Sequence, residues 1–575
     1  MRFSLIYLGL NKINVLVYIV LLLFFSFPLF CRSSANAATN GKYITIVNPV
    51  RDRSFWQNTN SVLNQINFLR DLNLPSTWLL QYSAFSDQVV IDIFNKLPAD
   101  HELGIFLEVD EKLATDALVP YLIGQGDWAR ADKVFLSGYS PSERKRMIDL
   151  FFNNFKSNFG FYPTAVGAWY IDTISLNYMV DKYNIAAILD VSDQYQTDTY
   201  GVWGKPWGTP YYPSKWNSLI PAGSSGNKLP VVKIQWAQRD AVRGYGLTVF
   251  DSTYSLQAND YIGHQLKTDY FVKLSHDYLQ TANPISQLTV GLEAGQEGAS
   301  FFEEFKRQII SLTDLKHEIN LHFATMTDFA TKFKTVYPKF SPSYFIEGTD
   351  YENPNIAALW YTSPFYRVGL LKDQNRLQIR DFRLYDKNFL FTDIFERDNN
   401  RQLKRIITPL IDDLNIKNGI NLISDIKDLK INYKAQDYLE ITALDNFDKI
   451  HVIVLEPKTI FINKKPIIEI EDKNKLLERV NKNIVRLIVD YQVRDDYNWT
   501  PSIRFSLIEN VWYFGLWTGK TKLIGFRTTR PFIGVFDFPF QVLARFKTIP
   551  ALDGMSIVSE YFINNYKPST INIKI

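Results

Sequence analysis

Between about Tyr43 and Tyr337, short apolar runs alternate with amphipathic stretches, and this alternation limits the possible folds more than any other feature of the chain. The runs Ile44–Asn48, Ser76–Gln81, Leu103–Val109, Ala165–Trp169, Ala186–Leu189, Val231–Trp236, Leu288–Leu292 and Ile319–Phe323 read as buried strands. Helical patterns separate several of them. Val62, Ile66 and Leu69 recur at helical spacing before Leu74-Pro75. Ser140-Pro141-Ser142-Glu143 supplies an N-cap, a proline at the first helical position and a capping box. Met147, Ile148, Phe151 and Phe155 then share one face. A further stripe, Phe301, Phe302, Phe305, Ile309 and Leu312, follows Gly298, and the last helix begins at Thr327-Asp328 with Phe329 and Phe333. Repeated βα units imply a mainly parallel sheet. This many units over about 300 residues fit a closed or nearly closed barrel better than an open sheet. The expectation is an α/β fold with a (β/α)7-8-type barrel over 42–340.

The pattern changes after a linker candidate at about Ser341–Asp350, which contains Pro342 and Gly348. Arg376–Leu384 alternates with period two, and Tyr438–Ala443, Lys449–Leu455, Val511–Leu516 and Val558–Ile563 do so more loosely. Helical patterns are few, near Arg401–Leu414 and Lys475–Asn483. Residues 350–575 therefore read as a β-rich, sandwich-like C-terminal domain. A chain of 575 residues has room for both parts.

Residues 1–37 read as an address. Lys12 precedes an apolar run from Ile13 to Phe30, and Ser34-Ala35-Asn36-Ala37-Ala38 fits cleavage after Ala37. This is the pattern of a secretory signal peptide; an uncleaved N-terminal anchor is the runner-up, because the apolar run is long. Cys31 follows Phe30, which is too bulky for lipoprotein processing. As the lone cysteine, it excludes an intrachain disulfide framework and a Cys-rich zinc site. The expected location is outside the cytoplasm, secreted or associated with the cell envelope, with membrane attachment through the N-terminal segment as the alternative. Lys+Arg of 63 against Asp+Glu of 60 gives a net charge of +3, too balanced for a nucleic-acid binder that works by charge alone.

In barrels of this kind, chemistry sits at the C-terminal ends of the strands. Here those ends are polar. Asn48 and Asp52 follow the first run, Glu108 and Asp110 the third, Asp172 the fourth, Asp190 and Asp193 the fifth, and Arg239 and Asp240 the sixth; Glu293 closes the seventh and His322 lies in the eighth. Paired carboxylates perform glycoside hydrolysis, one as acid and one as nucleophile or base. Glu293 leads the candidates because it ends an apolar run between Gly291 and Gly295, where backbone can approach a ligand. Glu108, Asp110, Asp172 and Asp240 follow. Glu297 reads instead as an acid near the start of the helix after Gly298. Aromatic rings crowd the same loops, including Tyr200, Trp203, Trp207, Tyr211 and Tyr212 between Tyr195 and Trp216. Flat rings beside carboxylates match the apolar faces of sugars, although a long loop also builds its own small core. The substrate-binding candidates are Trp169, Tyr170, Trp203, Trp207, Trp236, Arg239 and Asp260. Asn259-Asp260-Tyr261 is read either as a hydroxyl-binding group or as a helix-capping turn.

His101-Glu102-Leu103-Gly104 and the preceding Thr77-Trp78-Leu79-Leu80, with Phe161-Tyr162-Pro163 and Val166-Gly167-Ala168-Trp169-Tyr170, resemble motifs of the glycoside hydrolase/deacetylase superfamily. The likeness is to polysaccharide deacetylases and their glycosidase relatives and covers about 42–340. It implies a (β/α)7-type barrel and a carbohydrate substrate. It also implies a metal site, and here the residues depart from it. The family's Asp-Asp pair falls at Asn48-Pro49, its two metal histidines at Phe106 and Asp110, and its arginine at about Gly167. Pro and Phe do not ligate a divalent cation. Gly167, Trp169 and Asp172 also fit a G-x-W-x-x-[DE] pattern like that of glycosidases on related barrels. The expected function is carbohydrate processing by a metal-independent glycoside hydrolase, with no cofactor, a polysaccharide or glycoconjugate as partner and no nucleic acid. Two alternatives stand beside it: a degenerate barrel that binds polysaccharide without cutting it, and a deacetylase with a rearranged metal site.

Overall fold

The structure, a computed structural model, describes residues 41–385 apart from 122–129, 198–199 and 247, together with Arg397, most of 403–469 and strand segments beyond. The predicted signal segment and the helix near Lys475–Asn483 lie outside the described residues.

The chain opens with β1 (Gly41–Val50), β2 (Thr77–Leu80), β3 (Glu102–Phe106), β4 (Ala165–Gly167) and β5 (Ala187–Val191), then a hairpin of β6 (Gln194–Thr197) and β7 (Tyr200–Trp203), then β8 (Val232–Trp236), β9 (Ile285–Val290) and β10 (Leu321–Ala324). All eight runs read as strands are strands, and they form one eight-stranded parallel sheet. The hairpin of β6 and β7 stands apart from it, inside the aromatic loop. β1 is central. Its second half pairs with β2 through Val47↔Thr77, and its first half pairs with β9 through Gly41↔Ile285 and with β10 through Lys42↔Leu321. From β2 the sheet continues through β3, β4 and β5 to β8. Strands covered on both faces bury every residue, as β5, β8 and β9 do.

The barrel is nearly closed, because β8 and β9 share no ladder among the described residues. Gln238 bridges that seam. Its Nε2 donates to Gln287 O at 3.1 Å, and its Oε1 accepts from Thr289 N at 2.7 Å. A side-chain amide thus satisfies backbone groups that a strand partner would otherwise pair. Helices cover the outside. The helix Pro141–Phe159 starts at the capping box, where Glu143 Oε2 accepts from Ser140 N at 2.7 Å, and ends at Gly160 with φ 84°. Its face of Met147, Ile148, Phe151 and Phe155 is fully buried. Each such side chain contributes about 1.5–3 kcal/mol.

Antiparallel sheets follow. β11 (Tyr344–Thr349), β12 (Ala357–Thr362), β13 (Tyr366–Asp373) and β14 (Arg376–Leu384) are consecutive neighbours in one sheet, and β14 is the run that alternates with period two. The strand Tyr438–Asp445 alternates buried and half-buried residues along its length. The helix expected near Arg401–Leu414 is not formed. Lys404–Ile406 is instead a strand paired with β7, and Pro409–Asp412 a strand paired with β14. Pro409 lacks the N–H that a helix interior needs.

The sheet of β11 to β14 meets the barrel through buried charge. Arg367 Nε donates to Asp381 Oδ1 at 2.9 Å and Nη1 to Lys205 O at 2.7 Å, and Arg367 also pairs with Asp193. The Trp207 and Trp360 rings stack at 4.0 Å, and the Arg367 guanidinium lies 4.9 Å from the Trp360 ring centroid.

Candidate active site

A cleft of about 450 Å³ opens at the C-terminal ends of the barrel strands. Arg51 stands directly after β1, Glu108 two residues after β3, Trp169 two residues after β4, Trp236 at the end of β8 and Glu293 three residues after β9; all five line the cleft. The hairpin adds Gln194 and Tyr200, and the loop and helix after β8 add Arg239, Gln257, Asn259 and Asp260. Six of the sequence candidates thus converge: Glu293, Glu108, Trp169, Trp236, Arg239 and Asp260.

Arg51 holds the centre. Its Nε and Nη2 donate to the two oxygens of Glu108 at 2.8 and 2.9 Å, a bidentate pair. Nη1 donates to Gln296 Oε1 at 3.0 Å and forms the ion pair with Glu293. The guanidinium also lies 5.3 Å from the centroid of the Phe106 ring. Arg51 is 3% exposed and Glu108 2%, so this pair is buried, whereas the side chain of Glu293 keeps 17% of its surface open.

The helix Ala258–His264 carries a further acid of the lining. Asp260 accepts from Ser255 Oγ, and from Gln257 Nε2 at 3.4 Å. Burial pushes its carboxyl up to about 6, against the pull of Arg239. Asn259 Nδ2 donates to Glu297 Oε1 at 3.0 Å, while Glu297 Oε2 accepts from Glu293 N at 3.2 Å. Burial raises Glu297 to about 7 despite Arg51, and the charge of Asp260 adds to the rise. Glu297 stands shortly before the next helix, as the sequence suggests, but its carboxyl is turned towards Glu293 N and Asn259. Two indoles complete the wall: Trp169 and Trp236 lie 5.6 Å apart at 48°, and Trp236 Nε1 donates to Gln257 Oε1 at 2.7 Å.

The remaining candidates lie elsewhere. Asp110 caps the helix Glu111–Asp116, accepting from Leu113 N at 2.7 Å and from Ser83 N at 3.0 Å, and burial raises its carboxyl. Asp172 caps Thr173–Tyr183 through Ser175 N at 3.0 Å and pairs with the buried Arg144 at 2.8 Å. Asp240 accepts from Val242 N at 2.8 Å, Arg243 N at 2.9 Å and Tyr270 Oη at 2.9 Å. Each is consumed by local backbone, which is what Asp does best at a strand-to-helix junction. Trp203 and Trp207 belong to the buried cluster around Arg367, and Tyr170 packs edge-on to Phe135 at 6.0 Å in the core. For the two tryptophans the loop-core reading holds, and Tyr170 is likewise a core ring.

The positions where the deacetylase resemblance calls for metal ligands do not supply them. Asn48 is buried and accepts from Gln65 Nε2 at 2.8 Å, Phe106 is a core ring beneath Arg51, and Asp110 is a cap. His101 bonds Trp78 Nε1 at 3.1 Å, and His322 lies in register with Tyr43, both at the strand starts and so away from the cleft. Among the described residues no group of three or more His, Cys, Asp or Glu is placed to hold a metal ion. A fixed guanidinium lies between the two glutamates instead, so the donor set does not fit a divalent cation.

Arg51, Gln194, Gln257 and Glu297 carry the site beyond the sequence candidates. Arg51 follows its strand as directly as any acid does, so a search of strand ends for both signs of charge would have found it.

No family model matches the chain, and no curated protein matches it. Among solved structures it is similar to a candidate glycoside hydrolase/deacetylase from Parabacteroides distasonis, at 15% identity and TM-score 0.48 over 66% of this chain and 93% of that one. It is similar to a candidate polysaccharide deacetylase from Pseudomonas aeruginosa PAO1, at 13% identity and TM-score 0.33 over 53% of this chain and 94% of that one. The Xyl-CE4 domain of a multidomain xylanase from the hindgut metagenome of Trinervitermes trinervoides is similar at 11% identity and TM-score 0.27, over 52% of this chain and 94% of that one. The first two of these structures carry the glycoside hydrolase/deacetylase and polysaccharide deacetylase descriptions of the family that the sequence motifs resemble.

Proposed function

We propose that this chain is an exported, carbohydrate-active protein whose barrel hydrolyses glycosidic bonds without a metal. One observation carries the reading. One cleft, with two neighbouring indoles in its wall, holds Glu293, in an ion pair with Arg51, and Asp260, whose carboxyl is pushed up to about 6. Two carboxyl groups in environments this different divide into a base or nucleophile and an acid. Asp260, protonated below about pH 6, gives its proton to the leaving glycosidic oxygen. Glu293, whose side chain is partly open to the cleft, acts on the anomeric carbon directly or through a water. Arg51 fixes Glu293 in place, and Trp169 and Trp236 offer apolar faces to sugar rings. Glu108 supports Arg51 and does not reach for substrate. In this reading residues 1–37 direct export and are cleaved, or remain as an anchor.

A specific observation favours a second reading. Arg51 occupies both Glu108 and Glu293, and committed carboxylates suit a barrel that binds polysaccharide without cutting it. One experiment separates the two. The wild type, Glu293→Gln and Asp260→Asn are incubated with a broad glycan panel, with and without chelator. Sugar release that survives chelator and is lost in both variants supports hydrolysis. Full activity in Glu293→Gln refutes it, and binding without turnover by the wild type establishes the second reading.

A further inference from the structure

Gln194 lines the cleft from β6 and is 1% exposed. Its Oε1 accepts from Arg239 Nη2 at 3.0 Å. A guanidinium only donates, so this bond fixes the amide's orientation. The other end, Nε2, is a buried donor with no partner among the described residues. Asn259 presents the complementary case. Its Nδ2 donates to Glu297 Oε1 at 3.0 Å, which leaves Oδ1 as a buried acceptor with no partner among the described residues. Buried polar atoms are normally paired, and in a cleft the missing partner is a ligand or water. A hydroxyl is both donor and acceptor, so it satisfies either group.

Charge narrows the ligand further. Both guanidinium groups of the lining are engaged. Arg51 holds Glu108, Glu293 and Gln296, while Arg239 donates to Asp193 O at 3.2 Å, to Ser252 O and to Gln194. Glu108, Asp260 and Glu293 line the same space. A uronate or sulfate entering the cleft would meet carboxylates and already committed cations, and an anion desolvated without a partner is disfavoured. We infer that Gln194 and Asn259 form the hydroxyl-reading part of the cleft and that the substrate class is an uncharged glycan. This rests on the carbohydrate reading above and adds specificity to it.

Calorimetric titration of the full chain carrying Glu293→Gln tests the inference apart from turnover. The probes are oligomers of neutral hexoses, oligomers of N-acetylhexosamine and a uronic-acid oligomer. Uncharged oligomers are expected to bind and the uronate not to. Gln194→Glu keeps an acceptor for Arg239 but removes the spare donor, and losing that hydrogen bond weakens uncharged-oligomer binding by about tenfold. Asn259→Ala serves as a second variant should Gln194→Glu fail to fold, with the thermal midpoint as the control. Unchanged affinity in both folded variants overturns the assignment of these two residues alone. Preference for the uronate overturns the uncharged class. Binding of no oligomer at all overturns the carbohydrate reading itself.

Discussion

Arg51→Met is the perturbation that most directly examines the centre of the cleft. The substitution keeps an unbranched apolar stem and removes the guanidinium. Glu108 then remains 2% exposed, without the two bonds of 2.8 and 2.9 Å that compensate its burial. Glu293 loses its ion-pair partner, but its side chain is 17% exposed and water replaces part of the loss. The cost is therefore dominated by Glu108. Removing one partner of a buried pair costs about 3–5 kcal/mol, against about 0–1 kcal/mol for an exposed pair. Urea unfolding of the wild type, Arg51→Met, Glu108→Gln and the double variant gives the complete cycle. The expectation is a loss of about 3–5 kcal/mol for Arg51→Met. Most of it is regained when Glu108→Gln is added, because the uncompensated charge is then gone. A loss below about 1 kcal/mol, or no recovery in the double variant, would show that this arginine is only a solvated surface pair.

Asp260→Asn should lower kcat by about 10²–10⁴-fold and abolish the fall in activity as pH rises through about 6, read from the pH–rate profile. The same carboxyl affects stability. Its folded value of about 6, against an ordinary 3.8, stabilises the protein below about pH 4, and that contribution is lost as pH rises to about 6. The loss is about 3 kcal/mol, which Asp260→Asn should remove from denaturation curves taken between those pH values. Asp172→Ala leaves Arg144, which is 0% exposed, without its carboxylate and should cost about 3–5 kcal/mol in unfolding experiments, with kcat per folded molecule unchanged. Dialysis against a chelator should leave sugar release unaltered; loss of activity restored by a divalent ion would refute the assignment of the cleft's fixed charge to Arg51.

The barrel was legible because its strands are buried on both faces. Such strands appear as short apolar runs, and β5, β8 and β9 bury all their residues. The capping box at Ser140 and the stripe through Phe155 were legible for an equally local reason. The hairpin of β6 and β7 was not. Its residues carry the rings and glycine of a loop, and its pairing with Lys404–Ile406, two hundred residues later in the chain by number, leaves no local mark. That distant partner also explains the misread helix near Arg401–Leu414. An apolar spacing compatible with a helix was overridden by an edge waiting to be paired and by Pro409.

At the site, the acids that follow the barrel strands fall into two physical groups. Asp110 and Asp172 each stand one residue before a helix, where a short carboxylate reaches the free backbone N–H groups of the first turn. Glu108 and Glu293 have longer side chains and no helix starting at the next residue, so their carboxyls are left to pair with Arg51 at the cleft. That distinction was readable from chain position alone. What could not be read is which charges meet. Arg51, Glu108 and Glu293 come from three different strand ends, and Asp260 and Gln194 reach the cleft from a helix and a hairpin outside the barrel sheet. Their separation in sequence is large, so nothing local records that one guanidinium will bind two glutamates. The same convergence settles the role of Phe106. Where the resembling family would need a metal ligand, an apolar ring lies against Arg51, whose guanidinium is held by two glutamates.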